Sequence, residues 1–250
     1  MALNTEKNMY TVVFAMIMVV IVGSILASFA SGLRPRIDEN ERFATQQNIL
    51  YAMGVNENTE ESGVSPIPTN RVEGEFSTYI KEQYVLRNNG DVEENSEAYL
   101  IDLKKQIAAL KSGQEAELPF FIGEKDGKKS YILPMYGKGL WDAIWGFMAL
   151  DENLVIQGVY FDHKGETPGL GANIKLRFFM DDFSGENVVD GNQFKGVAVA
   201  KGNNDPLNQD KADYEVDALA GATITGNGVA AMIKESLNLY KPYLLTVRNN

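Results

Sequence analysis

Apolar and polar positions change period several times along this chain, and each change marks an element. From Tyr10 to Ala30, YTVVFAMIMVVIVGSILASFA, there is no period and no charge. Roughly 21 residues at ~1.5 Å each give about 31 Å, the hydrocarbon thickness of a bilayer, so the run predicts a transmembrane helix. The apolar region of a signal peptide is usually about 7–15 residues, so a retained anchor is expected. A helical period then covers Ile37 to Ala52, with Phe43, Ile49 and Leu50 on one side. It predicts a stalk helix that docks on the domain. NENTEESGVSPIPTN reads as a polar loop, and Thr78 to Leu86 is too short to assign. Tyr99, Leu100, Leu103, Ile107 and Leu110 share one face of a helix expected over Ser96 to Leu110, ended by Gly113. That stripe is expected to be core.

The pattern then turns to strands. LPFFIGEKDGKKSYILPMYG is two apolar runs around Asp126-Gly127, a strong hairpin signal. AIWGFMALDENLVIQGVYFDHKGE repeats the arrangement, with Asp151-Glu152-Asn153 as its turn. Ile174 to Phe179 reads as a short helix and FKGVAVAKG as a strand. A final helix is expected over Gly228 to Leu239, burying Val229, Met232, Ile233 and Leu237. Strands and helices cluster rather than alternate, which predicts an α+β fold with a largely antiparallel sheet and flanking helices. The expected organisation is a tail at 1–9, the membrane helix at 10–30 and one soluble domain at 31–250. Within that domain, 31–115 is a helical stalk and variable part, and 116–250 is the core.

Composition removes several function classes. With 34 acidic against 23 basic residues the net charge is -11, and no basic block exists for nucleic acid or for anionic headgroups. There is no cysteine, hence no disulfide, thiol chemistry or Fe–S ligation by this chain alone. A single histidine, His163, excludes a multi-His metal site. The chain has no G-x-x-x-x-G-K-[ST], no G-x-G-x-x-G between a strand and a helix and no G-x-S-x-G. The adjacent Asp181 and Asp182 read as solvated. Lys7 on one side of the apolar run and Arg34 and Arg36 on the other leave the topology undecided by charge.

Three glycine-rich clusters remain as candidates for chemistry: YGKGLWDAIWG (136–146), HKGETPGLGAN (163–173) and VDALAGATITGNGV (216–229). Glycines serve tight turns between strands, and Trp141 and Trp145 also fit a core. Thr167-Pro168-Gly169-Leu170-Gly171 is an unusually bare turn that exposes backbone N–H groups and lets a flat ligand approach. In the third cluster two hydroxyls, Thr223 and Thr225, stand just ahead of the last helix. A helix N-terminus is electropositive and suits a phosphate. Equally, Thr225 fits a plain N-cap.

DALAGATIT resembles the flavinylation motif of proteins that carry FMN on a threonine: Asp, two residues, Ser or Thr, then Gly-Ala-Thr. GKGLW and HKGETPGLGA resemble the other two signatures of the C subunits of the Na+-translocating NADH:quinone reductases. The single anchor, the length and the order of the three signatures match as well. Ala220 departs from the pattern, standing where the family usually has Ser or Thr. The resemblance implies one covalent FMN per chain, phosphoester-linked to Thr223, with 116–250 as the flavin-carrying core. It implies that a flavin transferase attaches FMN, recruited with the help of Asp217, while Gly221 and Ala222 leave room for it. Leu140, Trp141, Thr167 and Leu170 are expected to face the flavin ring, with N–H groups near Gly169 and Gly171 donating to its carbonyls. The implied function is electron relay between NADH and quinone within a Na+-pumping complex of a bacterial inner membrane. The chain would be single-pass, with its soluble domain on the periplasmic side. Its implied partners are the other subunits, the transferase and the lipid bilayer, with no nucleic acid. The G subunit of the Rnf electron-transport complex shares the flavin motif and is one alternative. A membrane-anchored binding domain without cofactor is the other.

Overall fold

Strand β3 (Glu117–Lys125) is buried at every position from Leu118 to Gly123. Side chains of a strand alternate between faces, so such a run requires cover on both. The computed structural model, which describes residues 8–60, 63–202, 205 and 208–248, supplies that cover. β3 lies in a six-stranded antiparallel sheet with β1 (Ile80–Arg87), β2 (Val92–Glu94), β4 (Lys128–Lys138), β5 (Ala143–Leu150) and β6 (Ile156–His163). Their order is β2-β1-β3-β4-β5-β6. Phe120, Leu133, Met135, Met148 and Phe161 face one layer, built from α5 (Thr223–Arg248) and the short α4 (Arg177–Asp181). Phe121, Ile132, Phe147 and Ala149 face the other, with Ile49, Leu50 and Met53 and with Val72 and Phe76 of α2 (Thr69–Tyr79). The fold is the expected α+β arrangement, an apolar N-terminal helix followed by a mostly antiparallel sheet with flanking helices.

Both hairpins occur where the turn chemistry placed them. Asp126 and Gly127 take φ of 52° and 74° between β3 and β4. At the β5–β6 turn, Asp151 Oδ1 accepts from the N–H groups of Asn153 and Val155, both at 2.9 Å. Other expectations change. The membrane run and the stalk form one helix, α1 (Asn8–Ala52), which continues through Pro35. α1 is the one described helix long and apolar enough to cross a membrane. The chain forms two units, Met1–Arg42 and Phe43–Asn250, and residues 1–7 of the expected tail lie outside the described residues. The unassigned Thr78–Leu86 holds the end of α2 and most of β1, which joins the sheet. The helix expected over Ser96 to Leu110 is instead a 3-10 turn at Ala98–Leu100 followed by α3 (Leu103–Lys111). Asp102 separates them by capping α3, its Oδ1 accepting from Lys105 N–H at 3.3 Å. Consequently the stripe is core only in part: Tyr99, Leu103 and Leu110 are half-buried against the core, but no residue of α3 is fully buried and Leu100 is exposed. FKGVAVAKG is split by Gly196, whose φ is +74° and which lies against the backbone of Lys234. Its halves enter two small pairs, β8 (Gln193–Phe194) with β7 (Val189–Asp190) and β9 (Ala198–Ala200) with β10 (Glu215–Asp217).

The last helix begins five residues earlier than expected and continues past Pro242. Tyr240 anchors it. The ring is fully buried and its hydroxyl donates to the Pro119 carbonyl of β3 at 2.8 Å. Tyr240→Phe removes that buried hydrogen bond, so chemical denaturation is expected to show a loss of about 1–2 kcal/mol without a change in fold.

Candidate functional site

The path from β10 into α5 sets the site. After Asp217, Ala218 N–H donates to the Ala200 carbonyl at 2.8 Å, and Ala222 N–H to Leu219 at 3.1 Å. Gly221 closes the turn at φ +70°, where only glycine is unstrained, and a Cβ there would stand 2.8 Å from Leu170 Cδ2. The Ala222 carbonyl accepts from Gly226 N–H at 2.9 Å, so Ala222 occupies the N-cap position, with no side-chain oxygen to cap with. Among the described residues nothing accepts from the amides of Thr223, Ile224 or Thr225. Those donors and the positive end of a 26-residue helix converge on one spot.

Thr223 is the first helical residue and is exposed. Thr225 differs from the expected cap. It is 1% exposed, and its hydroxyl donates to Glu166 Oε2 at 2.6 Å. Two residues of helix turn the hydroxyls about 200° apart, so one faces solvent while the other is locked inside. Glu166, missed in the sequence, is the bolt of the site. Its Oε1 accepts from the N–H of Trp141 at 2.9 Å, so one carboxylate ties the second glycine cluster to the first and the third. Its own N–H donates to His163 Nδ1 at 3.2 Å. Burial alone would raise its pKa. Hydrogen bonds from Thr225, Trp141 and Asp142, with His163 nearby, outweigh burial and hold the carboxyl below its usual value. The sequence signal was there: one acid within a run of small and turn residues, HKGETPGLGAN.

The glycines are the spaces this bolt needs. A Cβ at Gly139 would stand 2.5 Å from Glu166 Oε1, and one at Gly171 would stand 2.5 Å from both Glu166 Oε2 and Thr225 Oγ1. At Gly228 it would reach 2.4 Å from the Lys138 carbonyl, so α5 lies directly on β4. A cleft of about 270 Å³ opens beside the turn, lined by Leu140, Glu166, Thr167, Leu170, Gly171 and residues 221–225. Leu140, Leu170 and Ile224 are 44%, 42% and 58% exposed, a rim of apolar surface. Trp141 is 67% exposed, which excludes a core role, and its Nε1 donates to Thr167 Oγ1 at 3.2 Å. It lines a neighbouring cavity of about 470 Å³ with Lys138 and Met232 rather than the cleft itself. Leu170 N–H already donates to the Thr167 carbonyl, leaving those of Gly169 and Gly171 as the donors of that turn. Asp217 is half-buried at the end of β10, outside the cleft lining. These residues fit FMN: free helix amides for a phosphate ester, an exposed hydroxyl, and an apolar rim for a flat ring.

Comparison with known proteins agrees with this geometry. The family described as FMN-binding domain matches residues 139–238, a span that holds Glu166, the cleft and most of α5. The C subunit of the Na+-translocating NADH-quinone reductase of Pseudomonas aeruginosa is 30% identical over 243 residues, covering 90% of each chain. The corresponding C subunit of Yersinia pestis is 26% identical and covers 98% of this chain and 95% of its own length. The solved structure of the C subunit of Parabacteroides distasonis superposes with a TM-score of 0.70 at 33% identity, covering 85% of this chain and 96% of that one. The chain therefore belongs to the family of C subunits of the Na+-translocating NADH-quinone reductases.

Proposed function

We propose that this chain is the electron-carrying FMN subunit of a Na+-translocating NADH-quinone reductase, with FMN held covalently on Thr223. The observation that carries the attachment is the contrast between the two threonines. Only Thr223 offers an exposed hydroxyl at the free amides of the α5 N-terminus, while Thr225 is spent on Glu166. FMN supplies the redox chemistry when bound. The protein's part is to hold and orient. The amides of Thr223 to Thr225 meet the phosphate, and the small residues Gly221 and Ala222 keep the hydroxyl accessible to a flavin transferase. Leu140, Leu170 and Ile224 offer the ring an apolar surface, while Gly171 in the cleft wall and Gly169 in the adjoining turn, outside the cleft lining, hold N–H groups for its carbonyls. Asp217, on the strand that leads into the turn, takes part in transferase recognition.

The sites for NADH and quinone belong to partner subunits. The apolar part of α1 anchors the chain in the bacterial inner membrane as a single span, with the soluble domain on the periplasmic side. The span carries no charge from Tyr10 to Ala30, which speaks against an ion path through it. Intact-mass analysis with peptide mapping, on denatured protein co-expressed with a flavin transferase, tests the assignment. The expected result is a gain of one FMN less one water on the peptide holding Thr223. Unmodified protein, from a transferase active on a known substrate, would overturn it.

A further inference from the structure

The cleft wall carries a charge that attachment does not require. Glu166 is 5% exposed, lines the cleft and, among the described residues, has no cationic side chain bonded to it. Its hydrogen-bond partners are a hydroxyl and backbone amides, none carrying a formal charge, and His163 acts on it only as a neighbour. The space around it is made by glycines at 139 and 171, each too close for any larger residue. A threonine hydroxyl could be satisfied by a neutral glutamine as well, and an amide could donate to a carbonyl. A carboxylate in this position therefore calls for a reason beyond hydrogen bonding.

We propose that Glu166 is a positioning residue for the flavin that also places a fixed negative charge in the cleft wall and so disfavours reduction of the bound FMN. The inference rests on the FMN reading above. Through Thr225, Glu166 fixes the first turn of α5, and with it the Thr223 hydroxyl. Through Trp141 N–H it fixes the β4–β5 turn that presents Leu140. Its carboxyl is held in the ionised form at neutral pH by the same hydrogen bonds. A ring held at the cleft would then receive electrons near a charge of like sign, on a carboxylate that is itself shielded from water. Asp142, next in the chain to Trp141, is ion-paired with Lys164 at 3.1 Å, whereas Glu166 has no ion pair among the described residues.

The test compares wild type, Glu166→Gln and Thr225→Val, each co-expressed with a flavin transferase and titrated by spectroelectrochemistry across pH. Glu166→Gln removes the charge at nearly constant shape. At a fixed ambient potential its ratio of reduced to oxidised FMN is expected to rise on the order of tenfold, the size of a unit-charge interaction across ~10 Å at an effective dielectric of about 20. Thr225→Val keeps the charge but frees the turn, so its titration should stay within about twofold of wild type while its covalent FMN content falls. Equal titrations for wild type and Glu166→Gln, with both folded and loaded, would overturn the role of the charge. A full FMN content in Thr225→Val would overturn positioning through that hydroxyl. A wild type without covalent FMN would instead overturn the underlying FMN reading, and the inference with it.

Discussion

Thr223→Ala is expected to fold like the wild type and to carry no covalent FMN. The side chain is exposed at the first position of α5, so its loss should change stability by no more than about 0.5 kcal/mol. Attachment, by contrast, requires a hydroxyl oxygen as the acceptor of the phosphoryl group, and alanine has none. Thr223→Ser, which keeps the oxygen, should retain flavin. Thr225→Ala is the instructive partner, because it inverts the outcome. It removes a buried hydrogen bond to a carboxylate and is expected to destabilise by about 1.5–3 kcal/mol. Thr223 and its modification site remain in place, with covalent FMN reduced but still on Thr223. Mass spectrometry of the three variants, alongside their urea midpoints, separates the roles. Flavin on Thr223→Ala, or on Thr225 in any variant, would show that the exposed hydroxyl is not the attachment point.

Much of this site was visible in the order of residues, and what was hidden had a physical cause. Turn chemistry is local, so Asp126-Gly127 and the Asp151 turn marked both hairpins correctly. The buried face of the last helix followed from its period. Helix boundaries depend on caps that period does not reveal. Asp102 split the helix expected over Ser96 to Leu110, and Ala222 began α5 without any capping side chain. The glycine clusters were recognisable as special, but that they surround one carboxylate depends on contacts that reach Glu166 from residues as far apart as Gly139 and Thr225. Glu166 was hidden for that reason. A buried acid has the same letter as a solvated one, and only its partners distinguish them.

Stability is expected to fall as pH rises from about 5 to about 7.5, with Glu186 as the main cause. This side chain is 0% exposed. Burial pushes its pKa up from 4.5 to about 7; Asn208 and Lys211 pull it down only in part, and Asp213 pushes it further up. Asn208 Nδ2 donates to its Oε1 at 3.0 Å, and Lys211 Nζ stands 3.6 Å from the same oxygen. Glu186 Oε2 and Asn208 Oδ1, both buried, have no partner among the described residues. A proton on Oε2 makes it a donor, and the amide already bonded to the other carboxyl oxygen carries an acceptor that lacks a donor, Asn208 Oδ1. Between the unfolded and folded pKa values the folded state therefore holds a proton that the unfolded state has released. By linkage its stability declines with rising pH over that window and levels off above it. Asp182, raised by its own burial against the pull of Lys211, adds a contribution of the same sign. The Glu166 carboxyl, held low, acts in the opposite sense, its stabilisation being lost only as pH falls through more acid values. From the size of the Glu186 shift the decline should be about 2–3 kcal/mol. Glu186→Gln supplies a permanent N–H in place of the acid proton. It should flatten the profile and be more stable than wild type at pH 8 by about 1–2 kcal/mol, after loss of the Lys211 contact. Urea unfolding of both proteins at intervals from pH 5 to pH 8.5 decides the matter. Parallel profiles would mean that Glu186 is already ionised in the folded protein, and that Glu186 Oε2 and Asn208 Oδ1 are satisfied in some other way.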